Sequence, residues 1–138
     1  MQRKTVFIRG ALCALPDGAS ECTIAVWDGK ITSIGRFDPP DGAEIVEANG
    51  LVALPGAVDS HVHFHMPTAD GGFNADDFST GSACAICGAT TTVVDFASPV
   101  EGKSWTEGVR RRRAEADGKI FCDYGLHMEV TGAFEQEI

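Results

Sequence analysis

The chain has 138 residues, 43% hydrophobic and 22% charged, with Lys+Arg 11 against Asp+Glu 20 for a formal net charge of −9. This composition excludes a disordered or low-complexity chain, and the acidic balance excludes a general nucleic-acid binder, which needs a basic face. The length suffices for one core but falls short of the roughly 250 residues of a complete (β/α)8 barrel.

No stretch reaches the ~18 apolar residues of a membrane span. The opening Met1–Arg9 is too short in apolar residues for a signal-peptide core. The expectation is a soluble cytoplasmic protein with neither nucleic acid nor membrane as partner. Cysteines stand at 13, 22, 84, 87 and 122. An odd count without a secretion signal does not suggest a disulfide framework.

Residues 1–54 read as β structure. Thr5–Arg9 is a short strand. Cys22–Trp27 and Lys30–Gly35 flank Asp28-Gly29, which favours a type I′ turn because both central residues need positive φ. Pro39-Pro40-Asp41-Gly42 is a loop, and Glu44–Ala48 and Leu51–Leu54 are two further strands. The set reads as part of a small β-sandwich.

Residues 55–138 change pattern at Pro55-Gly56. Ala57–His63 reads as a buried strand, followed by a polar loop holding Gly71-Gly72. Asp76–Cys87 reads as a helix with an acidic start, suited to the helix dipole, and Gly88 as its stop. Thr90–Phe96 is a β-branched strand. Ser104-Trp105-Thr106-Glu107 is a capping box opening a second helix, which ends near Asp117-Gly118. Ile120–Val130 is a third strand, and another helix begins near Gly132. The order strand–helix–strand–helix–strand predicts parallel βαβ units.

The motif with most chemistry is Asp59-Ser60-His61-Val62-His63. In a strand, 59, 61 and 63 share a face, so two imidazoles can converge on one metal ion. The alternative is two satisfied polar residues at a strand end. Asp59 points the same way and could orient a ligating ring from behind. His65 continues the alternation, either as a third ligand or as a loop residue past the strand. His127, in the third strand, is either catalytic or a hydrogen-bonded core residue, and the second is favoured.

Cys84-Ala85-Ile86-Cys87 lacks the second pair a structural zinc site needs, so core packing is expected for Cys84 and Cys87, and burial for Cys122. Arg110–Arg113 is an anion patch or a solvated helix face. The second is favoured, with Glu107, Glu115 and Asp117 as counter-charges. Asp76-Asp77 is expected to cap the first helix.

Taken together, Leu54-Pro55-Gly56-Ala57-Val58-Asp59-Ser60-His61-Val62-His63, Met66-Pro67, Asn74-Ala75-Asp76-Asp77-Phe78, Gly88–Phe96 and Asp123-Tyr124-Gly125-Leu126-His127 resemble the cyclic amidohydrolases of the dihydropyrimidinase and D-hydantoinase group. Asp-Ser-His-Val-His also looks like allantoinase. The resemblance implies a (β/α)8 TIM-type barrel with a β-sandwich, of which this chain carries the N-terminal sandwich strands and the first three barrel strands. It implies two zinc ions and a carboxylated lysine, with His61 and His63 serving one metal, and a small cyclic ureide, a hydantoin or dihydropyrimidine, as substrate.

Asp59 and Asp95 are then the carboxylates expected behind the metal ligands, and Phe64, Met66 and Phe73 the pocket loop. His65 stands where hydantoinases often carry Asp. The family's lysine, second histidine pair, catalytic aspartate and gripping tyrosine fall later, so no catalytic residue is expected in this portion. The family also implies a homo-oligomer, a tetramer. The chain is expected to be a fragment that opens no ring alone. The alternative is a truncated, non-catalytic paralogue acting only in binding or assembly.

Overall fold

The computed structural model describes residues 5–130, and the helix expected from Gly132 lies outside them. The chain divides into two compact units, Met1–Pro55 and Gly56–Ile138.

The first unit holds β1 (Thr5–Leu15), β2 (Gly18–Trp27), β3 (Lys30–Gly35), β4 (Glu44–Glu47) and β5 (Val52–Ala53). Their order is β3-β2-β1-β4, with β5 also on β1. β1, β2 and β3 pair antiparallel, and β4 and β5 run parallel to β1. Because both pair with the same strand, the described residues of this unit form one five-stranded sheet, with no second sheet among them to complete a sandwich.

β1 runs well past Arg9. Its register shifts between Arg9 and Ala11. Gly10 sits there at φ 81°, and a Cβ on it would lie 2.0 Å from Asn49 Oδ1. This bulge switches the parity of the strand. Ile8 before it and Ala11, Cys13 and Leu15 after it all face one core, against Cys22, Ile24 and Ala48. At the second hairpin Asp28 and Gly29 have φ 52° and 74°, the positive pair the type I′ turn requires.

The second unit holds β6 (Ala57–Asp59), α1 (Phe78–Cys87), β7 (Thr90–Ala97), α2 (Trp105–Ala116) and β8 (Asp123–Met128). The strands form a parallel sheet in the order β6-β7-β8. β6 stops at Asp59 rather than His63, because the Asp59 carboxylate takes the His61 N–H at 3.1 Å. Such a local bond competes with the ladder. Val62 N–H rejoins β7 at Val94 O, 3.0 Å away. β6 is also the sheet's edge among the described residues, so Val58 is 63% exposed rather than buried. β8 is shorter than Ile120–Val130, since Phe121 N–H goes to the buried Ser82 Oγ of α1 at 3.0 Å.

Asp77 caps α1, accepting from the Ser79 and Thr80 N–H groups at 2.8 Å each, while its own N–H donates to Thr80 Oγ1 at 3.0 Å. Gly88 is the stop, as expected, and caps the helix at φ −89°, while the left-handed residue is the next one, Ala89, at φ 63°. At α2 Ser104 is the N-cap but its side chain makes no cap bond, so the expected capping box is absent. The Glu107 carboxylate pairs with Arg110 instead.

Phe64, Phe78, Val93 and Ala116 form the core of this unit. α1 turns Phe78, Gly81 and Ser82 inward. Cys84 and Cys87 lie on the opposite side of the helical wheel and are exposed, which corrects the core-packing expectation, and Cys122 is half-buried.

Candidate metal centre

The functional side chains collect at the C-terminal ends of the three parallel strands. His61 and His63 follow the end of β6, Phe96 is near the end of β7, and His127 near the end of β8. Phe96 is the floor: its ring centroid lies 4.6 Å from His61, 4.8 Å from His63 and 5.0 Å from His127.

His61 Nε2 and His63 Nε2 are 3.1 Å apart, with both side chains exposed. Two nitrogens each ~2.1 Å from a common ion and 3.1 Å apart subtend about 95° at it, between octahedral and tetrahedral values. The pair therefore fits one zinc as two of its ligands. His63 Nδ1 is 2.7 Å from Met66 Sδ. A thioether only accepts, so a hydrogen bond here requires the His63 proton on Nδ1, the tautomer whose Nε2 lone pair is open to a metal. Among the described residues no group of three His, Cys, Asp or Glu gathers to hold a metal. A catalytic zinc usually takes three protein ligands, so the pair fills part of one shell.

The other expected residues divide. Asp59 bonds the His61 backbone, not its ring. His65 lies in the loop at φ 46° and stacks flat on Phe73, centroids 4.2 Å apart. His127 Nε2–H donates to Ser60 O over 3.1 Å, but it is exposed rather than a core residue, because the strand ends stand open around Phe96. Met66 and Phe73, with His65 and Phe96, line a cleft of about 300 Å³. Phe64 does not. It is 7% exposed, with its ring against Gly81 and edge-on to Phe78, so its expected place in the pocket loop is corrected to the core. The first unit has a larger open cleft of about 540 Å³ between Arg9 and Arg36, lined by no histidine, so size alone does not mark the site.

Asp95 is 0% exposed and faces away from the histidines. Its Oδ2 accepts from Arg112 Nε at 2.9 Å and Nη2 at 2.6 Å, and its Oδ1 faces the Phe64 N–H at 3.4 Å. Arg112 Nη2 also donates to Phe64 O, and Nη1 to Glu115 at 2.8 Å. Its guanidinium lies 4.5 Å over the Phe78 ring. Arg112 is thus buried, against the expectation of a solvated run, while Arg110, Arg111 and Arg113 stay exposed. Removing one partner of such a pair leaves a buried lone charge, at a cost of about 3–5 kcal/mol.

The sequence reading gave Asn74 and Arg112 no role in the site. Asn74 Nδ2 donates to His63 O, and its Oδ1 accepts from Met66 N–H at 2.6 Å. For Arg112 a signal existed. Gly108, Arg112 and Ala116 form an i, i+4, i+8 stripe, and it is this stripe that α2 buries. The small residues let the helix close in. A Cβ on Gly108 would lie 2.6 Å from Ser98 O.

The fold and this geometry define an α/β protein with a two-histidine site at the strand ends of a parallel sheet. No protein-family model matches the chain. Dihydropyrimidinase of Rattus norvegicus is 37% identical over 134 residues, covering 94% of this chain and 26% of the rat protein. D-hydantoinase of Streptomyces coelicolor is 34% identical over 143 residues, covering 100% of this chain and 30% of that protein. The crystal structure of dihydropyrimidinase from Brevibacillus agri NCHU1002 matches with TM-score 0.88 at 30% identity, over 96% of this chain and 28% of that one. The chain belongs to the dihydropyrimidinase and D-hydantoinase family, matching the N-terminal part of hydantoinase structures. It spans about a quarter of the length of the curated relatives it matches. No helix among the described residues is long and apolar enough to cross a membrane.

Proposed function

We propose that this chain supplies the metal-gripping N-terminal portion of a zinc-dependent hydrolase that opens the ring of hydantoins or dihydropyrimidines. The observation that carries the reading is the 3.1 Å approach of His61 Nε2 to His63 Nε2, in a chain of this family. On this reading β6, β7 and β8 are the first strands of a (β/α)8 barrel, whose chemistry gathers at the C-terminal strand ends. The exposed edge at β6 fits a sheet that continues.

His61 and His63 would hold one zinc through neutral Nε2 atoms, and Phe96 limits the tilt of both rings. Bound zinc supplies water activation at neutral pH and carbonyl polarisation. Met66 and Phe73 offer apolar contact to a substituent on the ring, and the His65–Phe73 stack gives that contact a flat wall. The proton-handling acid and the remaining ligands come from outside this chain.

The test pairs binding with turnover. Equilibrium dialysis against zinc should show an ion lost in His61→Ala and in His63→Ala. A protein carrying this sequence at the length of its relatives should open hydantoin or dihydrouracil, and His61→Ala should abolish it. The 138-residue chain alone should show none. Zinc binding unchanged in both variants would defeat the reading.

A further inference from the structure

We propose that the buried Asp95–Arg112 pair is a positioning device, clamping the backbone of Phe64 so that His63 keeps its place beside His61; the proposal rests on the metal reading of those histidines. A buried ion pair is weak evidence for stability, since apolar residues of similar volume often serve as well. What an apolar pair would not reproduce is the set of bonds found here. The carboxylate faces the Phe64 N–H through Oδ1, and the guanidinium takes Phe64 O through Nη2. One residue's donor and acceptor are thus held by opposite charges, which are themselves locked together through Oδ2.

Phe64 follows His63 directly, so the clamp fixes the peptide planes on both sides of it. The peptide between His63 and Phe64 is held at its other end too, by Asn74 on His63 O. Upstream, Val62 N–H is anchored on Val94 O. His63 hangs between these fixed points. Its ring is free only about its side-chain torsions, and Phe96 and Met66 limit those. The Phe64 ring adds a pin, pressed between Gly81 and Phe78, beneath the same guanidinium. Releasing the clamp lets the 63–64 peptide turn and carries Nε2 away from its partner.

The test uses the full chain, cobalt(II) alone as a coloured probe, and the variants Arg112→Lys, Asp95→Asn and His61→Ala. Lysine keeps a charge for Asp95 but lacks the fork that reaches Phe64 O at the same time. Arg112→Lys should therefore retain most thermal stability yet bind cobalt about 10- to 100-fold more weakly, the usual loss when a group behind a metal ligand is removed. In the metal-free protein its His61 and His63 ring-nitrogen resonances should move, because the ring-to-ring contact opens. Folded Arg112→Lys and Asp95→Asn proteins with unchanged cobalt affinity and unmoved resonances would show the pair to be structural only, and overturn the proposal. If the unmodified chain binds cobalt no better than His61→Ala, the metal reading fails. The ring-nitrogen resonances then decide the clamp alone: moved in Arg112→Lys they support it, unmoved they end it.

Discussion

Gly81 lies in the interior of α1, where replacing glycine by alanine ordinarily stabilises a helix by about 1 kcal/mol. Here the sign should reverse. A Cβ on Gly81 would lie 2.2 Å from Cε1, 2.5 Å from Cδ1 and 3.0 Å from Cζ of Phe64. Carbon atoms rest at roughly 3.5–4.0 Å, so the ring must retreat by more than about 1 Å. It has little room, because it is buried and Phe78 stands edge-on, centroids 5.7 Å apart. Overpacking of this kind costs about 1–3 kcal/mol. The close approach of three ring atoms places the site in the upper part of that range, so Gly81→Ala should lose about 1–2 kcal/mol net. For a unit of this size the loss lowers Tm by roughly 5–15 °C. Thermal unfolding by circular dichroism measures it, and urea unfolding checks the sign. Adding Phe64→Leu, which removes the ring edge, should recover part of the loss, so the double variant is more stable than the sum of the singles predicts. A Gly81→Ala protein that melts higher than the original would refute the placement of Phe64 against α1.

Three further outcomes follow from local geometry. The Asp77 carboxyl is held below its ordinary value of 3.8, chiefly by the Thr80 backbone N–H. A depressed pKa gives stability that is complete above the unfolded value and is lost as pH falls through the folded one. Asp77→Ala should therefore melt lower at pH 7, with the gap closing below about pH 4, as melting curves across that range will show. Ala89 sits at φ 63°, so Ala89→Gly should gain about 0.5–1 kcal/mol in urea unfolding, the left-handed strain outweighing the entropy of glycine. A thiol reagent should label exposed Cys84 and Cys87 within minutes and buried Cys13 and Cys22 far more slowly, and burial also pushes the Cys13 thiol up, away from its reactive form.

Elements are legible in the sequence where the alternation runs unbroken or where a turn is spelled out locally. β7 keeps period 2 from end to end, and the β2–β3 hairpin, whose register shifts between Ala25 and Val26, is legible because Asp28-Gly29 states its turn outright. β1 was cut at Arg9 because the bulge at Gly10 shifts the inward face by one residue, so a correct pattern looks like a broken one. The cap at Ser104 failed for a different reason. Its partner, Glu107, has a nearer basic group in Arg110, and the local motif does not register that competition.

His61 and His63 were legible because their meeting needs only the parity of an extended chain. The groups that steady them come from far along the sequence. Asn74 is 11 residues from His63, Asp95 is 31 from Phe64, and Arg112 is 48 from Phe64. Only the fold sets these distances, and no window centred on the histidines contains all three partners. Phe64 shows how the near signal misleads. Standing beside His63 it reads as a pocket residue, yet the parity that turns His63 toward the open strand ends turns Phe64 the other way, onto Gly81 and under Arg112. The alternation that makes the histidine pair possible also requires a buried residue between His63 and His65. The backbone of that buried residue then needs partners in the interior, and an aspartate and an arginine from β7 and α2 provide them.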